Sequence, residues 1–167
     1  MCNMFVKPNK SGKQNQTDKI MTNEKVAIKI IKHFQPTGLV LEPARGTGNF
    51  YNNFNKQKDW CEIDEEKDFF DYNKKVNWII TNPPYSIYDN FLLKCFEVAD
   101  NVVLLVPLAK AFKSRKIDNA IEKYGGLKEI VFLGGGGEIS FPFGFPCGCL
   151  YYKRNYKGKI KYTRLTN

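Results

Sequence analysis

The sequence predicts an α/β domain: a mostly parallel sheet, helices on both faces, and an antiparallel strand pair at the C-terminal end. Three observations carry that expectation. Short apolar runs alternate with segments of helical period from residue 22 to residue 124. One run, Val102 to Val106, is short and continuously apolar, as a strand buried on both faces should be. The last two runs, Ile130 to Leu133 and Cys147 to Tyr152, are separated by a Gly-rich loop with no helix, so they should pair antiparallel.

Each element has its own signal. Residues 1–20, rich in Asn, Gln and Lys, read as a flexible basic arm, leaving residues 21–167 as one domain. Thr22 is placed to cap a helix with Val26, Ile30, Ile31 and Phe34 at helical spacing, ended by Pro36-Thr37-Gly38. Leu39 to Leu41 makes a short strand, broken by Glu42-Pro43-Ala44-Arg45-Gly46-Thr47-Gly48, with a brief helical segment from Asn49. Trp60 to Ile63 and, more strongly, Val76 to Ile80 read as strands. Ser86 is a candidate cap for a helix turning Ile87, Phe91, Cys95 and Val98 or Ala99 inward. A further helix runs to Tyr124 and stops at Gly125.

A chain of 167 residues is one ordinary domain, and 43 % hydrophobic with 14 % aromatic residues is enough for a core. No apolar run is long enough for a membrane span, and no secretory signal follows the N-terminal lysines. Five scattered cysteines, an odd number, favour a reducing, cytoplasmic setting over a disulfide scaffold. Cys147 and Cys149 share one strand face, but two ligands do not make a zinc site, so no metal is expected. His33, on a helix, reads as structural. The net charge of +9 is unevenly spread: from Ile139 onward there are six cations, among them Lys153 and Arg154, and no acid. A second basic cluster is Lys110, Lys113, Arg115 and Lys116, while Asp59 to Asp71 carries seven acids against Lys67. Cations interleaved with tyrosines suit a polyanion with stacking bases, though each run alone equally describes a solvated face.

Ligands of such folds collect at the carboxyl ends of the strands, and two features fall there. Gly46 and Gly48 permit a tight turn and close backbone approach to a ligand. No Gly-Lys-Ser/Thr follows, and the third glycine of the dinucleotide fingerprint is missing. Glu62, twenty positions after Glu42, stands where a strand-end carboxylate can hold ribose hydroxyls. The second feature is Asn82-Pro83-Pro84-Tyr85, a tetrapeptide expected by chance in roughly one in a thousand chains this long. As a plain turn it needs neither the amide nor the aromatic. With the backbone stiffened by two prolines, an amide oxygen and a neighbouring carbonyl can converge beside an aromatic face. Two such acceptors bind both hydrogens of an exocyclic amino group and turn its lone pair towards an electrophile.

Thr22, Glu42 to Phe50, Glu62-Ile63, Asp68-Phe69-Phe70 and Asn82-Pro83-Pro84-Tyr85 occur in this order. The set resembles the S-adenosylmethionine-dependent DNA adenine-N6 methyltransferases whose cofactor motifs precede the catalytic one, across roughly residues 17–154. The resemblance implies a Rossmann-like methyltransferase fold, S-adenosylmethionine as cofactor, and adenine methylation in DNA, as in restriction-modification. It puts Thr22 near the methionine carboxylate, and Glu42, Pro43, Ala44, Gly46 and Gly48 around the methionine part. Glu62 would bind the ribose, Ile63 would pack on the cofactor adenine, and Asp68 beside Phe69 would contact its amino group. Asn82 and the Pro83 carbonyl, with Pro84, would hold the target amino group, and Tyr85 would stack on the target base. A second aromatic from the loop before the final strand is expected on that base; Phe141, Phe143 and Phe145 compete, and Phe145 lies nearest the strand. Lys110, Lys153 and Arg154 are the expected DNA contacts.

Three departures from the family pattern stand out. Five residues between Glu62 and Asp68 leave no room for a crossover helix, so the second and third strands should be abbreviated. Asn23 replaces a proline common after the threonine. A chain of this length leaves no room for a separate target-recognition domain, so loops, the N-terminal arm, a second copy in a homodimer or a partner subunit are the expected sources of selectivity. Adenine in RNA and glutamine in proteins are alternative acceptors, and a non-catalytic nucleic-acid-binding subunit is the alternative from another class.

Overall fold

The structure is a computed structural model and describes residues 18–55, 57–111, 114–142 and 144–165. Helix α1 (Glu24–Phe34) leads into β1 (Val40–Glu42), and β2 (Lys58–Trp60) follows. Then come β3 (Val76–Thr81), α2 (Tyr88–Val98), β4 (Ala99–Pro107) and α3 (Arg115–Tyr124). The chain closes with β5 (Gly125–Gly135), β6 (Pro146–Arg154) and β7 (Lys161–Arg164). The seven strands form one sheet in the order β2-β1-β3-β4-β6-β5-β7. Only β6 runs against its neighbours, pairing antiparallel with β4 and β5.

The alternation of β4 sorts the core. Val102, Leu104 and Val106 face α2 and α3, beside Ile117, Tyr124, Leu150 and Tyr152. Val103 and Leu105 face α1, beside Ala27, Ile30, Val131, Cys147 and Cys149. The helices therefore cover both faces as the sequence predicts, and the two cysteines share a face and are buried. Gly125 ends α3 where a Cβ would stand 2.2 Å from the Lys153 carbonyl oxygen, so only glycine lets β5 turn against β6 there.

The structure corrects several local expectations. Asn23, not Thr22, caps α1: its side chain accepts from the Lys25 N–H at 2.9 Å. No side chain caps α2, and Ser86 lies in the 3-10 turn Tyr85–Ile87 before it. The second strand is Lys58–Trp60 rather than Trp60 to Ile63, because it must register with Val40–Glu42. Between it and β3, the described chain makes two 3-10 turns, Ile63–Glu65 and Phe69–Asp71, and a single bridge between Glu62 and Lys67. Strand β7, too short and polar to announce itself, adds an edge parallel to β5. Of the expected arm, residues 1–17 lie outside the described residues; Asp18 accepts from Ser86 and the Ile20 carbonyl from Asn82. No helix among the described residues is long and apolar enough to cross a membrane.

Candidate active site

Strand order reverses between β1 and β3: the chain goes outward from β1 to β2, then returns to place β3 on the other side of β1. Crevices open at the carboxyl ends of strands at such a switch point. A cleft of about 330 Å³ lies there, within the range of small-ligand sites. Its walls come from the turns after β1, β2 and β3 and from residues 18–21.

The Gly turn forms one wall, with Pro43, Ala44 and Gly46 facing the cleft. Gly46 and Gly48 have φ of +52° and +84°, the left-handed region in which glycine avoids strain. The turn is tied to the acidic segment from several sides. The Gly46 N–H donates to Glu62 Oε2 at 2.6 Å, and the Arg45 N–H donates to the Cys61 carbonyl at 3.0 Å. The Arg45 guanidinium pairs with Glu65 and lies 4.0 Å from the centre of the Trp60 ring. Glu42 supports the turn from beneath: it is buried, and its Oε2 accepts the Tyr51 N–H at 2.6 Å. Burial pushes its carboxyl up to about 9, against the opposing pull of the Tyr51 bond and Arg45.

The second wall is acidic and partly apolar. Glu62 Oε1 accepts from Asp64 N–H at 3.3 Å, and Asp68 Oδ1 from Phe70 N–H at 2.9 Å, so both carboxylates cap their own 3-10 turns. Ile63 is 53 % exposed and faces the cleft with Asp68 and Phe69. An apolar platform beside strand-end carboxylates suits a flat ring attached to a hydroxylated sugar.

The third wall is the Asn82-Pro83-Pro84-Tyr85 turn. Asn82 Nδ2 donates to the Ile20 carbonyl at 2.8 Å, while Asn82 Oδ1 is buried without a hydrogen-bond partner among the described residues. A buried acceptor left open is costly unless something completes it. Pro84 lines the cleft, and Pro83 is buried. The Tyr85 ring packs inward, its hydroxyl 3.4 Å from the Leu105 carbonyl, and burial raises its pKa. Lys110 Nζ donates to the Tyr85 carbonyl at 3.2 Å, bracing this turn from the loop after β4.

Most of the expected cofactor residues therefore converge. Thr22 and Gly48 do not line the cleft: the Thr22 carbonyl accepts from Asn49 Nδ2 at 2.7 Å, and its hydroxyl is buried without a hydrogen-bond partner among the described residues. Of the aromatic candidates, Phe141 is buried in the core on the α1 face, Phe143 lies outside the described residues, and Phe145 is 63 % exposed. Two backbone bonds tie the residues flanking the β5–β6 loop: Gly136 N–H donates to the Phe145 carbonyl at 2.8 Å, and Phe141 N–H to the Gly136 carbonyl at 2.8 Å.

Lys153 and Arg154 are not brought to the site. Because β6 is antiparallel, Cys147 pairs with Pro107 near the cleft, whereas Lys153 pairs with Asn101 at the other end of the sheet. Six residues of strand separate those pairs, about 20 Å. Arg154 is a structural cation. It donates to Asp100 at 2.9 Å and to the Phe96 and Ala99 carbonyls at 2.7 and 2.8 Å, closing the end of α2. Besides Lys19 in the cleft wall and Arg45 in the Gly turn, Lys110 and the exposed Arg115 and Lys116 follow the carboxyl end of β4. Sequence reasoning also missed Asp18, Lys19, Ile20 and Met21, which line the cleft. Asp18 and Lys19 contribute side chains and Ile20 a backbone carbonyl, in no pattern that a motif describes. Among the described residues no group of acids, histidines and cysteines is arranged to hold a metal.

No protein-family model matches the sequence, and no curated protein sequence matches it significantly. Solved structures do match in fold. A protein from Listeria monocytogenes, described as a class I S-adenosylmethionine-dependent methyltransferase, aligns over 90 % of this chain and 67 % of its own with a TM-score of 0.65 at 16 % identity. A protein from Vibrio vulnificus, described as the modification subunit of a type I restriction enzyme, aligns over 92 % of this chain and 48 % of its own, TM-score 0.64, 16 % identity. The M protein of the type I restriction enzyme EcoKI aligns over 90 % and 49 %, TM-score 0.62, 13 % identity. The chain spans about half the length of the two restriction subunits. With a seven-stranded sheet, one reversed strand and a cleft at the switch point, it has the Rossmann-like fold of these methyltransferase structures.

Proposed function

We propose that this chain is an S-adenosylmethionine-dependent methyltransferase acting on the N6 amino group of adenine in DNA. The observation that carries the reading is the open, buried Oδ1 of Asn82, held in an Asn-Pro-Pro-Tyr turn on the wall of the switch-point cleft. The cleft fits the cofactor chemically. Glu62 offers an acceptor for ribose hydroxyls, exposed Ile63 offers an apolar platform for a purine, and the Gly46 turn admits the amino-acid part closely. S-adenosylmethionine, when bound, supplies an electrophilic methyl group.

The chain's own residues then act on the acceptor. Asn82 Oδ1 and the Pro83 carbonyl accept the two amino hydrogens, and the nitrogen lone pair leaves conjugation and points into the cleft. Bond formation at that nitrogen would be matched by rupture of the cofactor's methyl–sulfur bond, leaving a neutral thioether, and the nitrogen would shed one proton, by way of the Asn82 hydrogen bond, to water. No strongly basic side chain is needed, because preorganised acceptors stabilise the charge that develops. Stacking on the target base requires the Tyr85 ring to swing away from Leu105, and the exposed Phe145 supplies a second aromatic surface. Taking adenine out of a duplex costs about a few kcal/mol.

DNA is the favoured acceptor because the fold is shared with modification subunits of restriction enzymes, and because Lys110, Arg115 and Lys116 stand at the site end. The same likeness supports a partner subunit or a second copy as the source of sequence selectivity. The test is incubation with labelled S-adenosylmethionine and DNA, structured RNA or a glutamine-bearing protein in competition, followed by sequencing-based mapping of methylated bases. N6-methyladenine in DNA is expected; a folded, cofactor-bound protein that methylates no adenine in DNA overturns the reading.

A further inference from the structure

Residues 18–22 run along the cleft before α1 begins, and four side-chain contacts fasten them. Asp18 accepts from the Ser86 N–H at 3.2 and 3.3 Å and from the Ser86 hydroxyl. Lys19 Nζ reaches Asp64 Oδ2 at 2.6 Å. The Ile20 carbonyl accepts from Asn82 Nδ2 at 2.8 Å, and the Thr22 carbonyl from Asn49 Nδ2 at 2.7 Å. This short strap is therefore tied to the turn after β3, to the acidic segment and to the Gly turn at once.

The bond to Asn82 has a particular consequence. A carboxamide has two ends of nearly equal size, so sterics alone do not choose between its orientations. A backbone carbonyl can only accept. With Ile20 on one side, the amide must present its NH₂ to the strap and its oxygen the other way, where that oxygen is buried and open. The reversed amide would face one acceptor with another and would offer a donor to an amino group that needs an acceptor.

We propose that the strap sets the orientation of the Asn82 amide, with Asp18 as the positioning residue that pins the strap to Ser86. The inference rests on the reading of Asn82 as the acceptor of the target amino group. Asp18 acts through Ile20 and never through the transferred group, so its loss should slow transfer more than it weakens acceptor binding.

Nuclear magnetic resonance and kinetics test it together. The Asn82 side-chain NH₂ signal is assigned by its disappearance in Asn82→Ala. In Asp18→Ala, that NH₂ should exchange with water at least tenfold faster and kcat should fall at least tenfold, with acceptor KM changed less than threefold. Asp18→Asn keeps an acceptor oxygen for Ser86 and should restore both quantities to within threefold. Ser86→Ala, altered outside the cleft, should shift both in the same direction by less, and serves where Asp18→Ala fails to fold. Unchanged exchange and kcat in the alanine variants, or Asp18→Asn as impaired as Asp18→Ala, overturns the proposal. If the unmodified protein methylates no acceptor, the proposed function falls, while the exchange measurement still decides whether the strap orients the amide.

Discussion

The two ends of the sheet treat their polar groups in opposite ways. At the end away from the cleft, Arg154 satisfies the last carbonyls of α2, the Tyr124 hydroxyl donates to Ala99 O at 3.1 Å, and Lys157 donates to Glu122 O at 2.9 Å. At the cleft end, Thr22 Oγ1, Arg45 Nε, Thr81 Oγ1 and Asn82 Oδ1 are buried without a hydrogen-bond partner among the described residues, and Glu42 is buried beside them. Unsatisfied buried groups destabilise a fold, so a cluster of them at one end marks where the fold gives up stability to be ready for a ligand. The far end is built to hold; the near end is built to bind.

The sharpest way to break this contrast is Asn82→Ala. If the near end is organised for chemistry, methyl transfer should fall by about a thousandfold, equivalent to ~4 kcal/mol of transition-state stabilisation. Cofactor affinity, measured by calorimetry, should change little, because Asn82 addresses the acceptor. A variant with near-normal turnover would show that the open oxygen has another explanation. Arg154→Ala asks the converse question of the far end. Removing three charge-assisted hydrogen bonds should cost about 3 kcal/mol of stability by urea unfolding, with no specific loss of DNA affinity in the folded fraction. DNA affinity that falls while stability is kept would return Arg154 to a binding surface.

That reversal for Arg154 shows which parts of the molecule were legible. The meeting of the Gly turn, Glu62-Ile63 and Asn82-Pro83-Pro84 was readable because these segments follow parallel strands, whose carboxyl ends come together. Lys153 and Arg154 showed their charge but not their position. Strand β6 runs the other way, so its last residues are carried away from the cleft that its first residues border. The strap was unreadable for another reason: its contact to Asn82 is a backbone carbonyl, which any residue supplies. Strand β7, Lys161–Arg164, has four polar or half-polar residues whose pairing depends on β5 being present to receive them.

Glu42 allows a finer test of the near end. Burial raises its folded pKa to about 9, above an unfolded value near ~4.3. Between those values the unfolded chain releases a proton that the folded chain keeps, so stability should decline as pH rises from about 4.3 to about 9. Glu42→Gln keeps an oxygen for the Tyr51 N–H and has no proton to lose. It should stabilise the unliganded protein by about 2 kcal/mol at pH 8 and flatten that decline, with the difference vanishing near pH 4. Thermal melts across this range provide the check. A Glu42→Gln variant less stable than its parent at pH 8 would mean that the carboxylate is charged and paired, and the near end less costly than the contrast holds.

The smallest expected effect belongs to the opposite sign of titration. Glu129, on β5, is only 6 % exposed, yet it accepts from Thr163 Oγ1 at 2.6 Å and His33 Nε2 lies 3.0 Å away, with Lys161 Nζ at 3.3 Å. Burial alone would raise its pKa, but the bonds from Thr163, His33 and Lys161 outweigh burial and leave it below the usual carboxylate range. A depressed folded pKa contributes stability that is complete above the unfolded value and is lost as pH falls through the folded one. Glu129→Gln should therefore cost about 1 kcal/mol at pH 7, and progressively less in acid as the parent's carboxylate is protonated. Urea unfolding of both proteins at pH 7 and at acid pH reads the difference. A deficit that stays constant with pH would assign the effect to shape rather than charge. One that shrinks in acid places a charged carboxylate in the network joining α1, β5 and β7, in contrast to the buried one beneath the Gly turn, which burial holds protonated.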